Sequence, residues 1–335
     1  MSAGPPGPTD IEQWLRLAVD ELIDSGRLDR DVEFVHAWGL GLPSGTAAAV
    51  ERAFEELVDR DVLLIVGPAI GDNALVVTPL ADGRRLPTIN WAGSERGRGE
   101  YMFHLQVGSH EDEPVLLANY LSQGPERRVG VVYDRSPIGR RYLEFFLEAA
   151  EALGLEIATV EAIAPLSEDA DRQVARIIDS GVDTCLYLGL GHAAEILAGG
   201  LVAAGWNGTG VMNSAGIRGY AREYARRVDG WVYVDMYSDH NMALSSLCRR
   251  LSLSPERRLA AAKGYDLGRL VAEGLARAPE LTRDGVKAGL ERVKWLPAAQ
   301  GHEGTLLGFG RCDRGALHGR YLVLRRWQGG KSVQV

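Results

Sequence analysis

The sequence predicts an α/β protein built of two doubly wound, Rossmann-like lobes, on three observations. The chain has 335 residues, more than one ordinary core accommodates, since single cores stop growing at roughly 250 to 300 residues. Short β-branched runs alternate with longer amphipathic segments along most of it, as parallel strands and their covering helices require. Glycine or a small polar residue stands at the carboxyl end of several of those runs, where open α/β sheets take up ligands.

Taken in order, Thr9-Asp10-Ile11-Glu12 reads as a capping box, and Ile11, Leu15, Ala18 and Leu22 recur at helical spacing up to Ser25-Gly26, so the chain opens with a helix. A first α/β series follows. VEFVHAW (32 to 38), VLLIVGP (62 to 68), LPTINW (86 to 91) and MFHLQV (102 to 107) are its strands, with helices from Ser44 to about Arg60 and over NALVVTPLADG. A second series begins with a helix opened by Ser109. Its strands are RVGVVYD (128 to 134), EIATVEAI (156 to 163), TCLYLGL (184 to 190), TGVMNS (209 to 214) and WVYVDMY (231 to 237). Helices over 137 to 153, 167 to 180 and 192 to 204 separate them. Helices over 240 to 251, 256 to 278 and 282 to 293 then lead to two strands, LLGFGRC (306 to 312) and YLVLRRW (321 to 327), joined by the turn DRGALHG. This antiparallel ending breaks the alternation that an eight-fold βα barrel would continue.

Composition excludes several functions. With 46% hydrophobic and 24% charged residues the chain is globular. A net charge of −8, with Arg pairs scattered at 84 and 85, 127 and 128, and 257 and 258, disfavours a nucleic-acid partner. No run approaches the roughly 18 apolar residues of a transmembrane segment. The first ten residues, MSAGPPGPTD, lack the basic start and apolar run of a signal peptide, which reads as cytoplasmic on that ground alone. Cys185, Cys248 and Cys312 are odd in number and far apart, so they read as packing residues.

The motifs carry little chemistry. Gly189-Leu190-Gly191-His192-Ala193-Ala194 has the G-x-G-x-x-A form of a dinucleotide turn. The next strand, however, ends in Asn213 where a ribose-binding acid would stand, so a tight turn beside a cleft competes with an oxidoreductase reading. His302-Glu303 lacks a second histidine at helical spacing, so no metal is expected. No nucleophile elbow, phosphate loop or catalytic triad order is present, so neither enzyme activity nor a cofactor is expected. What recurs is a set of polar strand ends: Gly67-Pro68-Ala69-Ile70-Gly71-Asp72-Asn73, Asn90-Trp91-Ala92-Gly93-Ser94, Asp134-Arg135-Ser136 and Asn213-Ser214. Helix N-termini there offer free N–H groups to a ligand, although a helix cap accounts for any one of them.

On the segments IVGPAIGDN, LPTINWAGSE, VGVVYDRSPIGRRYLEFF, DADRQVARIIDSGVDTCLYLGLG, KGYDLGRLVAEGLARA and GTLLGFGRCDRGALHGRYLVLRRWQGG, in that order, the chain resembles the type I periplasmic solute-binding proteins of the leucine/isoleucine/valine-binding branch. The resemblance implies two lobes, 1–108 plus 240–303 and 109–239 plus 304–335, joined by crossovers near 107 to 111, 237 to 241 and 299 to 305. It implies a ligand held in the cleft by hinge closure, and an ABC transporter permease as partner. By position it implies ligand contacts from Gly71, Asp72, Asn73, Trp91, Gly93 and Ser94 in the first lobe. Ser136, Ile138, Gly189, Gly191, His192, Ser214 and Ala215 follow in the second, with Tyr237 and Asp239 at a crossover.

Three departures qualify it. The aromatic residue expected near Ile138 and the carboxylate expected near Ser214 or Ala215, which would pair with an amino acid's ammonium group, are absent. A buried ammonium needs a counter-charge, so an amino acid requires Asp72 or Asp239, while an amide, a short carboxylate or an aromatic acid suits the Ser, Asn and Gly lining, with Trp91 as a wall. The family's first, central strand is also missing. Either the native start lies upstream, where an export signal would also stand, or another segment fills the gap. The expected function is non-enzymatic binding of a small polar or amphipathic molecule for an ABC importer. An intracellular sensor of the same fold, or a nucleotide-dependent oxidoreductase, is the alternative.

Overall fold

The computed structural model describes residues 10–124 and 128–335. The chain forms two compact units, 1–107 with 236–321 and 108–235 with 322–335. Helix α1 (Glu12–Asp24) buries Trp14, Leu15, Ala18, Val19 and Leu22, one stripe at helical spacing. Thr9 of the expected capping box lies outside the described residues; Ile11 is at the N-cap, and Asp10 Oδ1 accepts the Glu12 N–H at 3.0 Å.

Residues 32–38, read as a strand from their alternation, form none. A strand needs a neighbour with which to exchange backbone hydrogen bonds, and among the described residues none pairs with this segment. Its side chains lean on α1 instead: the Arg16 guanidinium lies 4.1 Å from the Phe34 ring centre and His36 Nε2 is 3.1 Å from Glu12. Helix α2 (Ala47–Asp59) is capped by Thr46, whose hydroxyl accepts the Ala49 N–H. There follow β1 (Ile65–Val66), α3 (Gly71–Gly83), β2 (Thr88–Asn90) and β3 (Met102–His104). These strands are parallel, in the order β1-β2-β3, with Val66 opposite Ile89 and Ile89 opposite Phe103. Beneath them Val50, Phe54, Ile65, Val77, Ala81, Leu86, Tyr101 and Met102 form one core. β1 is an edge of this sheet, so among the described residues no other segment takes the place of the missing central strand.

The second unit contains α4 (Asp112–Gln123), β4 (Arg128–Asp134), α5 (Pro137–Leu153), β5 (Glu156–Ile163), α6 (Asp171–Asp179), β6 (Thr184–Leu188), α7 (Ala194–Ala203) and β7 (Thr209–Met212). A 3-10 turn (Ser214–Tyr220), α8 (Arg222–Arg227) and β8 (Val232–Asp235) complete this stretch. The chain then returns to the first unit for α9 (Met242–Leu251), α10 (Arg258–Ala276), α11 (Arg283–Leu290), β9 (Leu296–Pro297), β10 (Leu306–Leu307) and β11 (Leu317–His318). β12 (Val323–Gln328) and β13 (Lys331–Gln334) close the second sheet, ordered β13-β12-β8-β7-β6-β4-β5. It is parallel except where β12 runs against β8 and β13. Helix α10 packs on α1 across two glycines: a Cβ on Gly264 would lie 2.5 Å from the Ile11 carbonyl, and one on Gly268 2.4 Å from that of Leu15.

Three expectations are corrected. Residues 306–312 and 321–327 are not partners: β10 pairs with β9 and β11 in a small antiparallel sheet, while β12 joins β8. The last passage between units therefore falls at 321/322 rather than at 299 to 305, because β10 and β11 pair within the first unit. Residues 236–239 likewise belong to the first unit, where the Gly301 N–H donates to the Met236 carbonyl at 2.8 Å. Among the described residues no helix is long and apolar enough to cross a membrane.

Candidate functional site

In the first unit β1 and β2 are parallel neighbours, so the loops that leave their carboxyl ends lie side by side, and the Trp91 N–H donates to the Pro68 carbonyl at 3.2 Å. Gly71, Asp72 and Asn73 form the first turn of α3, and Trp91, Gly93 and Ser94 follow β2. Their roles differ. Asn73 is buried, and both polar ends of its side chain engage Leu42, accepting its N–H at 2.9 Å and donating to its carbonyl at 3.3 Å. It ties down the loop before α2. Ser94 is buried and its carbonyl accepts the Gly97 N–H. Asp72 is half-buried, and among the described residues its carboxylate has no hydrogen-bond or ion-pair partner; desolvation raises its pKa. Above the half-buried Trp91 ring, the Lys263 ammonium of α10 lies 5.1 Å from the ring centre.

The second unit gathers the ends of β4, β6 and β7. Asp134, wholly buried, accepts the Tyr187 hydroxyl and the Leu190 N–H, both at 2.6 Å. The Tyr187 oxygen accepts the Gly191 N–H at 3.1 Å. Asn213 clasps Gly189 from the other side, accepting its N–H at 3.2 Å and donating to its carbonyl at 3.0 Å. Burial raises the Asp134 pKa against these donors. All three amides of the glycine turn are thus taken by side chains beneath it. Gly191 has φ +91°, and Gly189 has no room for a side chain beside Asp134. His192 is exposed, with Nδ1 3.1 Å from Arg218; burial, then the Arg218 charge, lowers its pKa. Ser214 is half-buried and Ala215 buried.

Four residues expected at the site are engaged within their own units. The Ser136 hydroxyl caps α5 by accepting the Gly139 N–H at 3.0 Å. Ile138 is buried in the first turn of that helix, and Tyr237 is buried where it bridges to Gly301. Asp239 is paired with Arg258 at 3.1 Å, in a first-unit pocket of about 220 Å³ that also exposes Ser245 and Cys248. Sequence reasoning did not single out Tyr187, Lys263 or Glu113, nor Asp134 and Asn213 as more than strand ends; an acid closing the β-run RVGVVYD was the available signal. Among the described residues no group of three or more His, Cys, Asp or Glu side chains could hold a metal ion.

A family model described as periplasmic binding protein matches residues 7–331. Among curated proteins, none matches the chain. Solved structures reproduce the fold. A leucine binding protein from Thermotoga maritima is 14% identical with a TM-score of 0.79, over 98% of this chain and 95% of that one. An ABC transporter substrate-binding protein from Desulfitobacterium hafniense in complex with Leu is 16% identical with a TM-score of 0.78, over 97% and 95%. A solute-binding protein from R. palustris in complex with 4-hydroxybenzoate is 18% identical with a TM-score of 0.76, over 98% and 92%.

Proposed function

We propose, from the premise that the chain belongs to the periplasmic binding protein family, that it is a non-enzymatic receptor that takes up one small amine- or amide-bearing molecule, amino acids included, for an ABC importer. The observation that carries this reading is Asp72. A half-buried carboxylate with no partner among the described residues, in the first turn of a helix at a strand end, is an acceptor waiting for a donor. Asp239, the other acid in a position to neutralise an ammonium group, is paired with Arg258. Trp91, in the loop hydrogen-bonded to that leading into α3, offers the apolar wall.

One observation favours a second ligand class: the Lys263 ammonium over Trp91 suits an aromatic carboxylate. The oxidoreductase alternative fares worse, because the amides a dinucleotide phosphate would need at residues 189–191 are already taken. Calorimetry with leucine, leucine amide and 4-hydroxybenzoate separates the classes. Under the first reading the two amines bind and Asp72→Asn weakens them roughly tenfold to a hundredfold, the worth of a charge-assisted hydrogen bond. Tight binding of the aromatic acid, undiminished by that substitution, favours the second reading. Binding of NAD and of none of these probes would sink both.

A further inference from the structure

At the start of the second unit Glu113, on α4, is wholly buried and joins two segments far apart in sequence. Its carboxylate accepts the Ser109 N–H at 2.7 Å and the Ser214 N–H at 2.6 Å, with the Tyr142 hydroxyl of α5 at 3.2 Å. Gly108, the first residue of that unit, has φ +85°, and a Cβ on it would lie 2.5 Å from Glu113 Oε1 and 3.2 Å from the Ser214 hydroxyl. One carboxylate therefore holds the chain, where it enters the unit, against the loop that follows β7.

Nothing positive neutralises it. Among the described residues no ion pair reaches Glu113; the nearby Arg141 of α5 is paired with Glu111 at 2.9 Å. His110, its ring 4.9 Å from that of Tyr142, is held neutral, its pKa pushed down to about 4 by burial and by Arg141. Asp112, Glu111 and Glu113 itself are the acids of this helix start. Ser214 contributes only its N–H and hydroxyl, and Tyr142 its hydroxyl, raised well above the ordinary value by burial and the Glu113 charge.

We propose that Glu113 is a positioning residue of the site: ionised, it fixes the Ser214 loop against the start of the second unit, and on taking up a proton it releases one of the two. The proposal rests on the reading of Ser214 as a residue that faces ligand. A protonated carboxyl must donate, and what faces it here are two N–H donors and the hydroxyls of Tyr142 and Ser214, whose oxygens alone can turn to accept. The two amides are then left to share the remaining lone pairs. Burial, opposed by the Ser214 and Ser109 amides, brings the Glu113 pKa to about 7, so the change falls in the neutral range.

The test is a pH titration of the full chain by amide NMR from pH 5 to 9. The Ser109 and Ser214 resonances move together through one midpoint near neutrality, and Glu113→Gln abolishes that inflection. Tyr142→Phe, which removes a donor to the ionised form, raises the midpoint and decides the matter if the Gln variant does not fold. Independent midpoints for the two amides, or an inflection that survives Glu113→Gln, overturns the proposal. With leucine as probe, a site that needs the ionised form binds about tenfold more weakly at pH 6 than at pH 8 in the unaltered protein. Leucine failing to bind at any pH counts against the ligand reading, while the amide titration still decides this one.

Discussion

A methyl group on Gly189 would remove the carboxylate that shapes the glycine turn. A Cβ there falls 2.2 Å from Asp134 Cγ and 2.3 and 2.7 Å from its oxygens, where carbon atoms in good contact keep about 3.5 to 4 Å. No small adjustment accommodates that overlap, because Asp134 is the fixed acceptor for the Tyr187 hydroxyl and the Leu190 N–H. In Gly189→Ala the carboxylate has to withdraw from both. Each such hydrogen bond to a charged group is worth about 1.5 to 3 kcal/mol, so the substitution costs roughly 3 to 6 kcal/mol, a large part of a native stability of about 5 to 15 kcal/mol. At about 2 to 4 °C per kcal/mol, the midpoint falls by roughly 6 to 24 °C. Thermal denaturation followed by circular dichroism reads the loss, and hydrogen exchange over residues 184–191 localises it. Asp134→Ala is the control: it opens the space, so adding Gly189→Ala to it costs less than about 1 kcal/mol more. A Gly189→Ala protein that melts within about 2 °C of the unaltered one, or penalties that simply add, would show that Asp134 does not close this space.

Stability should also carry the signature of two buried acids. The pKa of Glu113 is raised from 4.5 to about 7 and that of Asp266 from 3.8 to about 6, both chiefly by burial. A raised acid binds its proton more tightly in the folded chain, so the stability it contributes is full below the unfolded value and is lost as pH rises through the folded one. Stability is therefore expected to fall from about pH 4.5 to 7 on account of Glu113, by roughly 3 kcal/mol, and the melting temperature with it; Glu113→Gln should flatten that slope, and an unchanged slope places the proton elsewhere. Asp266 accepts the Ala299 and Gln300 N–H groups at 2.8 and 2.9 Å. Asp266→Asn keeps one acceptor, so it should flatten the slope between pH 4 and 6 and loosen residues 299–300 in hydrogen exchange. Asn73→Ala removes both bonds to Leu42 and should cost roughly 1 to 3 kcal/mol in denaturant melts while leaving leucine affinity within a factor of about three; loss of binding would instead make Asn73 a ligand contact.

The second unit was legible because its strands are regular. RVGVVYD and EIATVEAI match β4 and β5 to the residue, and the proline after Ser136 starts α5 where a helix-opening Pro should. The first unit was less so. VEFVHAW has the alternation of a strand, yet alternation only says that a segment can pair, and among the described residues no strand pairs with it. The final segment failed for a related reason. LLGFGRC and YLVLRRW are adjacent and joined by a turn, the sequence signature of a hairpin, but Leu307 has Leu296 and Leu317 as closer partners, and Val323 finds Asp235. Pairing is decided by which edges the fold leaves open, and sequence does not report that.

At the site, positions were easier to read than tasks. Loops at strand ends could be located because parallel strands carry their carboxyl ends to one side. Whether Asn73, Ser136 or Ile138 faces outward depends on a rotation that neither composition nor spacing encodes, and each proves to hold its own unit together. The acids are harder still to read. Along a sequence an Asp or Glu reads as a solvated surface residue, yet Glu113, Asp134 and Asp266 are fully buried. Each has backbone N–H groups from distant segments as its partners.

That pattern has a physical logic. A loop that must present backbone to a small ligand cannot also satisfy its own amides through regular secondary structure, and an orphaned buried N–H costs about 1 to 3 kcal/mol. A carboxylate placed behind such a loop can accept more than one of these donors, and does so more strongly than a neutral group could. Its desolvation raises its pKa, so the residue that shapes the loop is also the residue that senses protons. Asp134 and Glu113 stand in this position behind the Gly189–Gly191 turn and the Ser214 loop, while Asp72, in the other unit, has no amide partner among the described residues. Two of the acids are therefore spent on shape, and Asp72 is the one to which the proposed function assigns the ligand's amine.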